Sequence, residues 1–154
     1  MARLGARRPV IVYAESSAVV TWLVGEPRAD AVSDVFRSAE RVVTSLLTRA
    51  ECRRAVLRGA ALNRLTKRES EELLERLAVA ESAWDRIEVS ERILDGAARE
   101  FPVEPVRTLN AIHLASAYLA HVAVGGVVML SFDARVRTNA AALGMQVLPA
   151  ERTA

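Results

Sequence analysis

A chain of 154 residues, 51% apolar and 26% charged, is long enough to bury a core of its own and reads as one ordinary globular domain. Its 21 basic and 19 acidic side chains leave a net charge of only +2, so any case for nucleic acid must come from local clusters of charge. The single cysteine, Cys52, excludes an internal disulfide and a cysteine-rich zinc cluster, and is expected to pack into the core. No run approaches the roughly 20 apolar residues of a membrane span. The basic start MARLGARRPV lacks the apolar stretch of a signal peptide, so a cytoplasmic protein is expected.

Residues 1–8 are set aside as a basic tail, 9–150 as one domain and 151–154 as a second tail. Val10 to Tyr13 is a β-branched run suited to a strand buried on both faces. Ser16 or Ser17 is expected to cap a helix carrying Val19, Val20, Leu23 and Val24, which stops at Gly25 and Pro27. A second helix is predicted over Ala29 to Ser38 and a second strand over Arg41 to Thr44. From Ser45 to about Leu62 the spacing is helical, with Leu46, Leu47, Ala50, Leu57, Ala60 and Ala61 on one face. Arg49, Arg53, Arg54 and Arg58 lie opposite.

Thr66 with Glu69 forms a capping-box pattern opening a helix with Leu73, Leu74 and Leu77. Asp85 to Val89 is the third predicted strand. Ser90 caps a helix carrying Ile93, Leu94, Ala97, Ala98 and Phe101, and Pro102 and Pro105 then break the chain. Thr108 starts a helix with Leu109, Ile112, Ser116 and Leu119 on one side. After the Gly125-Gly126 turn come a strand over Val127 to Ser131, a helix over Asp133 to Leu143 capped by Gly144, and a strand over Met145 to Leu148. Short apolar strands alternating with helices imply a five-stranded, mainly parallel sheet covered on both faces, an α/β fold.

Such sheets bind ligands beyond the carboxyl ends of their strands. Glu15 directly follows the first strand and Asp133 the fourth. Glu51 lies early in the helix after the second strand, and Asn110 in the first turn of its helix. These four can converge at one sheet edge. Each also has a local explanation: Glu15 at a helix start, Glu51 paired with Arg54 or Arg58, Asp133 as an N-cap, Asn110 as a polar helix opener. His113 and His121 show no carboxylate or second ligand at metal spacing, which favours a packing or capping role. Ser16 and Ser17 lack a partner base, so serine nucleophilic catalysis is unsupported. Ser131, two residues before Asp133, would either hydrogen-bond a site there or merely end its strand. Trp22 and Trp84 read as core.

Four stretches in order, IVYAESSAVV, TSLLTRAE, RTLNAIHLASA and LSFDARVRTNAAALGMQV, resemble the PIN-domain ribonucleases, especially the VapC toxins of bacterial toxin–antitoxin pairs. The resemblance runs from about Val10 to Leu148. It implies a single three-layer α/β/α domain with Glu15, Glu51, Asn110 and Asp133 as catalytic residues holding Mg²⁺ or Mn²⁺. It also implies an RNA substrate, a homodimer and a VapB-like antitoxin that blocks the acidic groove and brings the only contact with DNA. Gathered carboxylates repel one another unless a cation joins them, which is the physical reason for a metal here.

Two positions depart from the family pattern: Glu15 and Asn110 stand where aspartates are usual. Asn110 removes one negative charge and leaves open a PIN-fold module that binds antitoxin or RNA without cutting. The basic run Arg49, Arg53, Arg54, Arg58, Arg64, Lys67 and Arg68 would either be a solvated face or hold RNA phosphates. A receiver-type signalling domain is disfavoured, because the acid pair, central aspartate and lysine it needs are not in place.

Overall fold

The computed structural model describes residues 10–151, so the predicted tail 1–8 and residues 152–154 lie outside the described residues. Five strands, β1 (Ile11–Ala14), β2 (Arg41–Ser45), β3 (Asp85–Ile87), β4 (Val128–Leu130) and β5 (Val147–Leu148), form one sheet in the order β3-β2-β1-β4-β5, every neighbouring pair parallel. Among the described residues seven helices accompany these five strands: α1 (Ser16–Val24), α2 (Ala29–Ser38), α3 (Leu46–Ala61), α4 (Lys67–Ala83), α5 (Glu91–Ala97), α6 (Thr108–Val124) and α7 (Ala134–Ala142).

β1 shows why three layers form. All four of its residues are buried, and their side chains alternate between the two cores. Val12 and Ala14 pack with α1 to α4, whereas Ile11 and Tyr13 pack with α6 and α7. The chain runs from β1 out to β3 and then returns to β4, so strand order reverses between β1 and β4. That reversal opens the crevice in which such sheets seat ligands.

Local signals fixed many boundaries. Gly25 ends α1 with φ +78°, a conformation glycine reaches without strain. The capping box at Thr66 and Glu69 forms as predicted, and Thr66's N–H and hydroxyl hold the Glu69 carboxyl below the usual range. Trp22 and Trp84 are half-buried rather than fully so, forming with Phe36 an aromatic cluster over which Arg76 lies 4.2 Å from the Trp22 ring centre.

Other expectations are corrected. α5 ends at Ala97 and excludes Phe101; β3 stops at Ile87 instead of Val89, and β5 begins at Val147 instead of Met145. In α3 the buried stripe is Thr48, Cys52 and Val56, not the predicted face; Leu57 is 47% exposed, and Ala50 and Ala61 are exposed. A threonine can occupy the core face because Thr48 bonds Thr44 at 2.8 Å, and Thr44 donates to the Ala14 carbonyl at 2.7 Å. Cys52 is buried as expected, and burial pushes its thiol up to about 12. In α6, Leu109 is exposed while Ala111, His113, Leu114 and Ala117 are buried, because the helix is covered by the sheet and by both α5 and α7.

Arg137 of α7 ties the ends of β4 and β5. Its guanidinium donates to the carbonyls of Ser131 (2.8 Å), Leu148 (3.2 Å) and Pro149 (2.9 Å). Arg137→Ala is expected to cost about 2 kcal/mol of stability. Thermal unfolding would register this as a fall of about 4–8 °C in Tm.

Candidate active site

Glu15 is the N-cap of α1, the role expected of Ser16 or Ser17. Its carboxylate is only 2% exposed and is met by four donors. Ser16 Oγ (2.6 Å) and the Ser17 N–H (3.1 Å) reach Oε1, and the hydroxyls of Ser17 (2.5 Å) and Ser131 (2.7 Å) reach Oε2. Those donors are what make a buried carboxylate tolerable. The two hydroxyls in turn accept the backbone N–H groups of Phe132 and Asp133, so Glu15 fixes the turn leaving β4. Of its two expected roles, Ser131 thus takes the hydrogen-bonding one.

Asp133 caps α7, its Oδ1 accepting the N–H groups of Arg135 and Val136, both at 2.9 Å. Among the described residues no donor reaches its Oδ2. Glu51, in the second turn of α3, bonds neither Arg54 nor Arg58. Its Oε1 accepts from His113 Nε2 at 2.6 Å, and its Oε2 is free of protein donors among the described residues. Asn110 is half-buried at the third position of α6. The local explanation holds for Asp133, and the cap uses one oxygen and leaves the other.

His113 corrects the expectation of a histidine without a carboxylate. It is fully buried, as a packing role requires, yet it bonds Glu51 and, at Nδ1, the Tyr13 hydroxyl at 2.8 Å. Burial holds the Tyr13 phenol well above its ordinary range, so it stays a hydroxyl. His121 has a capping role, accepting the Val127 N–H at Nδ1.

Glu15, Glu51, Asn110 and Asp133 line one open cleft of about 820 Å³ at the reversal between β1 and β4. An adjoining groove of about 680 Å³ shares Glu51, Asn110 and Asp133. Arg54 and Arg58 stand on the first cleft's wall, Arg107 and Arg135 on the second's. The predicted basic face therefore divides. Arg49 is bound to Glu81, while Lys67 and Arg68 pair with Glu71 and Glu72. Arg107 and Arg135 were not singled out from sequence, although they lie three residues before Asn110 and two after Asp133. A cleft of similar size, about 750 Å³, opens around Val10, Gly125, Gly126 and Gln146 and has no carboxylate in its wall.

Among the described residues no three His, Cys, Asp or Glu side chains stand close enough to form a ready-made metal cluster. Of the four candidate residues, the oxygens without a protein donor among the described residues are Glu51 Oε2, Asp133 Oδ2 and the Asn110 amide oxygen. Mg²⁺ prefers oxygen, keeps several waters and binds through one or two carboxylates plus a substrate phosphate. This donor set fits a hydrated hard cation and not a dry cage.

Comparison with known proteins identifies the family of the chain. The PIN domain family model matches residues 12–142, a span that contains all four candidate residues. Ribonuclease VapC46 of Mycobacterium tuberculosis is 39% identical over 137 residues, covering 89% of this chain and 95% of that protein. In fold the chain is similar to M. tuberculosis VapC20, described as a sarcin-ricin loop cleaving toxin, with a TM-score of 0.61 at 14% identity over 82% of this chain and 93% of that one. It is likewise similar to VapBC2 from Rickettsia felis, solved bound to a DNA fragment from its promoter, with a TM-score of 0.61 at 11% identity over 90% and 98% of the two chains. With an acid-lined cleft at the strand reversal and a family match across nearly the whole described chain, this protein belongs to the PIN-domain family, among the VapC ribonucleases.

Proposed function

We propose that this protein is the toxin of a type II toxin–antitoxin pair, an endoribonuclease that cuts RNA phosphodiester bonds with Mg²⁺ or Mn²⁺. The observation that carries this reading is the convergence of Glu51, Asp133 and Asn110, with unbonded oxygens, on one cleft at the strand reversal. Glu51 and Asp133 would hold the cation, with the Asn110 amide oxygen as a weaker neutral donor. Glu15 joins them on the cleft wall and holds the Asp133 turn in place. When bound, the ion supplies Lewis-acid polarisation of the phosphodiester and lowers the pKa of the attacking water. Arg54, Arg58, Arg107 and Arg135 flank the acids and bind neighbouring phosphates, giving salt-dependent and largely sequence-independent affinity.

The partners of this reading are RNA, a second copy of the chain and a VapB-like antitoxin whose basic side chain occupies the acidic cleft. DNA is reached only through the antitoxin. Among the described residues no helix is long and apolar enough to cross a membrane. The compartment that belongs to this reading, through its RNA substrate, is the cytoplasm. Asn110 favours a second reading, a module that binds antitoxin or RNA without turnover. Incubating the purified chain with RNA separates the two. Cleavage is expected with Mg²⁺ or Mn²⁺, abolished by EDTA and restored by excess metal. Intact RNA at every metal concentration, with antitoxin binding retained, would establish the inactive module instead.

A further inference from the structure

We propose that His113 is a positioning residue for Glu51, locked by Tyr13 so that one carboxylate oxygen is held and the other is presented to the cleft; this rests on the cation-dependent function proposed above. The two side chains form a buried chain of contacts leading to the site. Tyr13 lies on β1, His113 on α6 and Glu51 on α3, so the chain crosses three elements. Tyr13 and His113 are both fully buried, with ring centres 6.0 Å apart in an edge-on arrangement.

A carboxylate can only accept, so His113 Nε2 carries the hydrogen of the 2.6 Å contact with Glu51 Oε1. In the tautomer with its hydrogen on Nε2, the ring accepts at Nδ1 from the Tyr13 hydroxyl, 2.8 Å away. Glu15 Oε1 lies 4.0 Å from the same Nε2, beyond hydrogen-bond reach, so the ring serves Glu51.

The need for such a bracket follows from chain length. A glutamate has three rotatable bonds, and the Glu51 side chain, 23% exposed at a cleft wall, would sample several positions if nothing held it. Fixing Oε1 leaves Oε2 as the one oxygen free to meet a cation. His113 also lies three residues after Asn110 on α6, so a single rigid helix sets both the amide and the ring. Groups that hydrogen-bond a metal's carboxylate ligands orient them, and their loss typically weakens metal binding by about 10–100-fold.

The test uses the full chain and three variants, His113→Leu, His113→Gln and Tyr13→Phe. Mn²⁺ affinity is read by calorimetry, RNA cleavage as separate kcat and KM, and stability by thermal unfolding in EDTA. His113→Leu should weaken Mn²⁺ binding by about 10–100-fold. kcat should fall with little change in KM for RNA. His113→Gln, whose amide N–H can still reach Glu51, should recover most of that loss, a rescue that packing alone does not explain. Tyr13→Phe keeps the ring in the core and should weaken Mn²⁺ binding by about tenfold. It carries the test if His113→Leu does not fold. Mn²⁺ binding in Tyr13→Phe and folded His113 variants equal to that of the wild type overturns the positioning role alone. A wild-type chain that binds no Mn²⁺ overturns the proposed function and this role with it.

Discussion

Asp133→Asn is expected to lower RNA cleavage by about 10²–10³-fold, the scale of losing one preorganised charge at a reacting centre. The melting temperature should stay close to that of the wild type. The reason is the division of labour between the two oxygens of Asp133. Oδ1 caps α7 through the N–H groups of Arg135 and Val136, a task asparagine performs about as well. Oδ2 faces the cleft without a protein donor, and there the substitution replaces a charged oxygen with an amide. Parallel cleavage assays and thermal unfolding check the outcome. A variant that melts normally and cuts as fast as the wild type would remove Asp133 from the reaction.

The second large effect has the opposite sign. Asn110→Asp is expected to raise Mn²⁺ affinity by at least about tenfold and to speed cleavage. A divalent cation and one carboxylate at about 4 Å attract by roughly 8 kcal/mol at an effective dielectric of 20. Most of that is offset by lost hydration, yet about 1.4 kcal/mol surviving is already a factor of ten. The new charge sits at the third position of α6, where a helix start favours an anion, so folding should tolerate it. The check is a Mn²⁺ titration of both proteins, with the rise in Tm on adding metal as a second measure, since a ligand bound only to the folded state stabilises in proportion to affinity. Equal affinity in the two proteins would show that position 110 does not touch the cation.

Local chemistry explains what was legible beforehand. Val10 to Tyr13, Arg41 to Thr44 and Val127 to Ser131 gave strands because a β-branched or apolar run bounded by breakers has few other outcomes. The Thr66–Glu69 box and the Gly25 stop depend on atoms within a few residues of each other, so spacing alone specified them. The same holds for placing Glu15 and Asp133 at the ends of their strands. The buried face of α3 differs from the apolar spacing because Thr48 enters the core through its bond to Thr44, whose own hydroxyl is satisfied by the Ala14 carbonyl on β1, 30 residues away.

The sequence by itself therefore determined the order of elements, the parallel α/β class and the position of Glu15 and Asp133 just past β1 and β4, since each depends on the chain within a turn or a strand of itself. Tertiary structure alone decided that Glu15 has both oxygens bonded and that Glu51 is held at Oε1. Glu15 is enclosed by serines from two segments, one of them 116 residues distant, and Glu51 is held by a histidine 62 residues away. Hydrogen bonds of that span are made only when packing brings separate elements within about 3 Å, and no spacing along one chain encodes them.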